Sequence, residues 1–124
     1  MIGGMASSVL IVDDDPAFLS LATRVLEGMG IDVVATAQSA VTAIAVANAS
    51  KPDAALVDIG LPDGDGFALT QQLRAMPWPP RVVLISSDSD GANAPAARRA
   101  GACGFFPKEE LSSPGLRQLI EGVG

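Results

Sequence analysis

Five short, largely apolar runs alternate with stretches of helical spacing, and this alternation is what most limits the fold of the chain. The runs are Val9 to Val12, Ile31 to Ala35, Ala54 to Val57, Arg81 to Ile85 and Gly101 to Phe106. Apolar residues fill most of them continuously rather than at every second position, the pattern of strands buried on both faces. Such strands need a parallel sheet with helices above and below it. Right-handed crossovers leave few topologies. The expected one is α/β, a doubly wound five-stranded parallel sheet, (βα)5, with strand order 2-1-3-4-5. It is expected to occupy residues 7–124 as one domain, behind a loose leader at 1–6.

The helical stretches carry their own punctuation. Asp15-Pro16 joins a capping side chain to a proline at the first helical position, and Phe18, Ala22, Val25 and Met29 recur at helical spacing until Gly28 and Gly30 end the helix. Ser39 reads as the cap of a second helix carrying Val41, Ile44, Ala45 and Asn48, which Lys51-Pro52 stops. A turn-rich loop from Ile59 to Gly66 precedes a third helix with Phe67, Leu69, Leu73 and Met76, broken by Pro77-Trp78-Pro79-Pro80. A fourth, about Ala92 to Ala100, is Ala-rich and expected to be short and mobile. Leu116, Leu119, Ile120 and Val123 mark a fifth.

Composition excludes whole classes of chemistry. The chain has no His, which removes His-based acid–base catalysis and His-containing zinc sites. A net charge of −6 argues against direct binding to nucleic acid or to an anionic membrane surface. The single Cys103 cannot form an internal disulfide, which fits a cytoplasmic location. No apolar run approaches the roughly 20 residues of a membrane span.

Sites in open parallel sheets form at the carboxyl ends of the strands, near the point where strand order reverses. Four strands here lead into chemically useful residues: Asp13 and Asp14 after the first, Asp58 after the third, Ser86 after the fourth and Lys108 after the fifth. Each has an ordinary explanation when taken alone. Asp58 could be a turn residue, Ser86 a loop hydroxyl and Lys108 a solvated charge, while Asp15 suits a helix cap. A cap accounts for at most one of the acidic residues at the end of the first run. Three carboxylates, a hydroxyl and an ammonium converging on one sheet edge are a poor match to chance.

In this combination the chain resembles a response-regulator receiver domain. The likeness runs from Val9 to the end, through Val12-Asp13-Asp14-Asp15, Pro52-Asp53, Asp58-Ile59-Gly60-Leu61-Pro62-Asp63-Gly64-Asp65-Gly66, Ile85-Ser86-Ser87 and Gly101-Ala102-Cys103-Gly104-Phe105-Phe106-Pro107-Lys108. The resemblance implies that Asp58 accepts a phosphoryl group, that Ser86 is the switch hydroxyl and Phe105 the switch aromatic, and that Lys108 is the family's lysine. It implies Mg2+ held by Asp14, Asp58 and the backbone of Gly60, with Asp13 reached directly or through water. An ionised Asp58 needs no general base, so the lack of His is no obstacle. The chain would be a signalling switch that catalyses its own phosphorylation and dephosphorylation rather than a turnover enzyme. Its implied partners are a histidine kinase or phosphotransfer protein and, for output, a downstream protein or an output domain of the same chain. Phosphorylation would act on the face of the fourth helix, fifth strand and fifth helix; pairing of two copies stays open.

The likeness has departures. Pro107 precedes Lys108 and Glu109 follows it, and the switch hydroxyl is Ser rather than the commoner Thr. Gly60 and Asp88 stand at loop positions that in the family tune phosphoryl loss. Two other readings are open: a small phosphatase or phosphotransferase with Asp13 as nucleophile and Asp15 as acid, and a degenerate receiver acting only as a binding module.

Overall fold

The computed structural model of the chain describes residues 7–87 and 93–122, the side chain of Asn93 excepted. The leader at 1–6, Asp88, Ala92 and Val123 lie outside the described residues. The elements in order are β1 (Ser8–Val12), α1 (Pro16–Gly28), β2 (Asp32–Ala37), α2 (Ala40–Ser50), β3 (Ala54–Asp58), β4 (Gly60–Leu61), β5 (Gly64–Asp65), α3 (Gly66–Arg74), β6 (Arg81–Ser86), α4 (Asn93–Ala100), β7 (Gly104–Pro107), a 3-10 turn (Lys108–Glu110) and α5 (Pro114–Glu121).

Five strands form one parallel sheet in the order β2-β1-β3-β6-β7. Counted within that sheet alone the order is 2-1-3-4-5, as expected. The strand numbering differs because β4 and β5 form a two-residue antiparallel ladder of their own inside the loop after β3. Gly60 and Gly64 made that loop read as simple turn.

The sheet separates two apolar layers. Val9 and Ile11 of β1 face one way, into a buried cluster with Phe18, Leu19, Ala22 and Leu26 of α1 and Leu116 and Ile120 of α5. Leu10 and Val12 face the other way, among Ala43 and Ala47 of α2, Leu69 and Leu73 of α3 and Ala97 of α4. Alternation along one strand thus fills both layers, which is why the run is apolar at every position. Burying each large aliphatic side chain stabilises by roughly 1.5–3 kcal/mol, and a one-residue slip would turn each to the wrong layer. Register is therefore strongly held, and with it the level at which each strand ends.

Several boundaries differ from the sequence expectation. The second strand runs Asp32–Ala37 instead of Ile31 to Ala35: Ile31 is buried at the end of α1, its N–H bonded to Leu26 O, while pairing continues until Ala37 meets Val12. The last strand begins at Gly104, not Gly101. Gly101, at φ +102, and Ala102 instead close α4, with N–H bonds to Arg98 O and Ala97 O. The third helix ends at Arg74, before Met76. In α2 the buried residues are Ala43 and Ala47, and Val41 is 73% exposed. The apolar stripe is rotated because small alanines let the helix lie close on the sheet. All described peptide bonds are trans.

Candidate functional site

Each candidate side chain is delivered by a strand end. β1 finishes at Val12, and the Asp13 N–H bonds across to Ala37 O at 3.0 Å, which carries the pairing with β2 one residue further. The Asp13 carboxylate is thereby held fully inside the protein. Its Oδ1 accepts from the Asp15 N–H at 2.9 Å, and its Oδ2 lies 2.6 Å from Lys108 Nζ. That second contact is an ion pair in which the Lys108 ammonium offsets an oxygen buried inside the protein. Asp14, next along, is exposed. Asp15 caps α1: its Oδ1 accepts from Ala17 N at 3.0 Å and Pro16 takes the first helical position, as the sequence indicated.

Asp58 is the last residue of β3, opposite Ile85 of β6, and only 8% exposed. Oxygens of Asp13, Asp14 and Asp58 lie within 4.8 Å of one another. Lys108 follows β7 directly and sets its Nζ 3.6 Å from Asp58 Oδ2 while touching Asp13. Three carboxylates against one ammonium leave an excess of two negative charges. An oxygen-only donor set with that excess suits a hard divalent cation.

The electrostatics follow from this crowding. Burial, reinforced by the Asp13 charge and less strongly by Asp14, raises the Asp58 pKa above the ordinary carboxylate value, while Lys108 and the Gly60 backbone N–H oppose the rise. Burial pulls the Lys108 ammonium down, but Asp13 and Asp58 outweigh it and leave the pKa above its ordinary value. Lys108 is thus a fixed positive charge at neutral pH.

Ser86 ends β6, buried, beside Pro107 of β7 and one register step beyond the residue facing Asp58. The structure therefore brings Asp13, Asp14, Asp58 and Lys108 together and places Ser86 on the neighbouring strand end. Gly60 begins β4, exposed, two residues from Asp58. Phe105 stands apart from the carboxylates, opposite Leu84 and half-buried against the layer that contains α3 and α4.

Three participants are not apparent from the sequence. Gly66 opens α3 so close to β3 that a Cβ there would lie 2.5 Å from Asp58 O and 2.8 Å from Ile59 Cα. Asp63 reaches from the loop between β4 and β5 to the start of α2, accepting from Ala40 N at 2.8 Å and Val41 N at 3.0 Å. Phe18 presents its ring to Lys108, with Nζ 4.5 Å from the ring centroid. A glycine after a turn-rich loop hinted at the first; the other two are contacts between distant segments of the chain, without a local signature.

Open clefts of about 410 Å³ beside α1 and β2 and about 320 Å³ between α2 and α3 do not include the carboxylates. No helix among the described residues is long and apolar enough to cross a membrane.

Residues 9–121 match the response regulator receiver domain family. The chain belongs to that family. It is 32% identical to the acid tolerance regulatory protein ActR of Rhizobium meliloti over 98% of this chain and 62% of ActR. It is 36% identical to the photosynthetic apparatus regulatory protein RegA of Cereibacter sphaeroides over 85% of this chain and 56% of RegA. The chain thus spans little more than half the length of these curated relatives. The signal receiver domain of NarL from Mycobacterium tuberculosis superposes with a TM-score of 0.81 at 30% identity, covering 92% of this chain and 96% of that one. The chemotaxis response regulator CheY4 of Vibrio cholerae shares the fold, at 21% identity and a TM-score of 0.80 over 93% of this chain and 99% of CheY4.

Proposed function

We propose that this receiver domain is a phosphorylatable switch in which Asp58 takes a phosphoryl group from a histidine kinase or phosphotransfer protein. The observation that carries the reading is Lys108 Nζ set between Asp13 and Asp58, 2.6 and 3.6 Å away, beside a third carboxylate. Phosphoryl transfer asks for an in-line nucleophile and for positive charge on the equatorial oxygens, and little else. Asp58 is the nucleophile: a carboxylate oxygen forms the new O–P bond as the donor's P–N or P–O bond breaks. Lys108 neutralises a phosphoryl oxygen as a compact cation, and the Ser86 hydroxyl donates to another. Asp13, Asp14, Asp58 and the Gly60 carbonyl are the oxygens that would hold Mg2+, which supplies charge neutralisation for the transferring group.

Phosphorylation adds about one negative charge to Asp58 and new acceptor oxygens. Ser86 and Lys108 are drawn toward them, and Phe105 turns into the space that Ser86 leaves. That carries the signal to the face of α4, β7 and α5, where a downstream protein, an output domain or a second copy would respond. The chain works as a self-phosphorylating and self-dephosphorylating switch in the cytoplasm.

Asp13 fits poorly as the nucleophile of a small phosphatase, since its side chain is fully covered and both oxygens are engaged, one by Asp15 N and one by Lys108. Incubation with Mg2+ and acetyl phosphate, followed by mass spectrometric mapping, tests the reading. A phosphoryl adduct is expected on Asp58 and absent from Asp58→Ala. An adduct on Asp13 would establish the phosphatase-like chemistry instead, and none with any donor or kinase would leave a binding module.

A further inference from the structure

We infer that Phe18 is a positioning residue for Lys108, holding the ammonium over the acidic site through the face of its ring. The inference deepens the proposed function and rests on it for its kinetic consequence. Lys108 ends a flexible four-carbon stem, and a strongly hydrated ammonium on such a stem does not stay in one place without partners. Two partners are carboxylates, Asp13 and Asp58. The third is the Phe18 ring, 4.5 Å from Nζ to centroid, within the roughly 6 Å over which a ring face attracts a cation.

The ring is itself firmly placed. Phe18 is the third residue of α1, whose first turn is fixed by the Asp15 cap, by Pro16 and by the Leu19 N–H bond to Asp15 O at 3.1 Å. The side chain is 9% exposed and shares its buried cluster with Leu111, whose N–H bonds back to Lys108 O across the 3-10 turn. One apolar cluster thus ties together the helix that carries the ring and the turn that carries the lysine.

A ring face suits this place better than another acceptor would. A third carboxylate or carbonyl would take one of the three ammonium protons and compete with the incoming phosphoryl oxygens. The ring attracts the charge yet leaves the protons free. Its attraction is also broad, so Nζ, now 1.0 Å nearer Asp13 than Asp58, can slide toward a phosphorylated Asp58 without losing the contact. The ordinary alternative is that Phe18 is core filling alone, and ring electronics distinguish the two.

The test replaces Phe18 in the intact chain by 4-fluoro-, 3,5-difluoro- and pentafluorophenylalanine, nearly isosteric side chains with progressively weaker negative faces. Phe18→Tyr retains the ring face and Phe18→Leu removes it. Two quantities are read: the rate of phosphorylation at Asp58 by acetyl phosphate with Mg2+, and the accessibility of Lys108 to an amine-acetylating reagent without Mg2+. The expected result is a graded fall in rate, reaching roughly 3- to 10-fold in pentafluorophenylalanine and Phe18→Leu, with a matching rise in Lys108 acetylation and near-parent behaviour in Phe18→Tyr. Flat responses of both readouts across the fluorinated series, with melting temperatures unchanged, overturn the inference. If the parent protein forms no adduct on Asp58, the proposed function fails instead, and the acetylation series alone decides the role of Phe18.

Discussion

Gly66→Ala is the substitution that most directly probes how the frame holds Asp58, the proposed phosphoacceptor. The added methyl would meet Asp58 O at 2.5 Å, Ile59 Cα at 2.8 Å and Asp58 C at 3.1 Å, all of them backbone atoms that cannot rotate away. Relief requires α3 to move off the end of β3, and the Gly66 N–H bond to Ile59 O, 2.9 Å long, must stretch with it. Overpacking of this kind costs about 1–3 kcal/mol, and an all-backbone clash belongs at the upper end. Alanine's helix preference returns up to about 1 kcal/mol, less at a first helical position. The net is a loss of about 2 kcal/mol. At roughly 3–6 °C per kcal/mol for a domain of this size, the melting temperature should fall by about 6–12 °C.

Gly28→Ala is the matched control. Gly28 ends α1 with ordinary backbone angles, and a Cβ there would meet nothing within 4 Å, so the change should be neutral or stabilise by up to about 1 kcal/mol. Urea and thermal unfolding of both variants are compared with the parent protein, alongside phosphorylation at Asp58. Gly66→Ala should be less stable and also slower, since the displaced main chain is that of Asp58 itself. A Gly66→Ala protein that melts at or above the parent temperature refutes the close-approach reasoning, whatever its activity.

Two further outcomes follow from the charges. Lys108→Gln removes the only cation that the described residues place at the site and should bind Mg2+ more tightly, by roughly tenfold, while its phosphorylation rate at Asp58 collapses; calorimetric titration reads the first and acetyl phosphate kinetics the second, and equal Mg2+ affinity would show that Lys108 does not share the carboxylates with a metal. Asp63 has its pKa lowered, first by the Ala40 N–H and then by that of Val41, so its contribution to stability is present above the ordinary carboxylate value of 3.8 and lost as pH falls through the lower folded-state value. The stability difference between the parent protein and Asp63→Asn, measured by urea unfolding, should therefore be larger at about pH 7 than at about pH 2.5, and a difference independent of pH would refute it.

The residues that could be read from the sequence are those whose place is set by a strand. Asp13, Asp58, Ser86 and Lys108 each follow an apolar run, and once the sheet order is known their convergence needs no further information. Asp15 was legible for a similar reason, because a cap and the proline after it are local. Contacts between distant segments left no such trace. Nothing around Asp63 indicates that it satisfies the first N–H groups of a helix 22 residues earlier, and the spacing of Phe18 reads equally well as plain core. Val41 misled because the apolar periodicity of α2 has two nearly equivalent faces when most of its residues are alanine or valine, and only packing on the sheet chooses between them.

Asp13 and Asp58 are immobilised through the main chain: pairing with Ala37 on one side and Ile85 on the other fixes where their side chains begin, whether or not the charges are satisfied. The repulsion among the carboxylates therefore cannot relax by moving strands apart, because each strand is held by a buried layer on both faces. What can move are groups held by side-chain contacts alone, Lys108 above all, and the short ladder of β4 and β5 that Asp63 pins to α2. Under the proposed function, a charge arriving at Asp58 would meet a cluster fixed through its main chain and an ammonium held by side-chain contacts alone, so a displacement of Lys108 is the expected first response. The strand ends supply the site; an ammonium held only through its side chain is the group that can answer a new charge there.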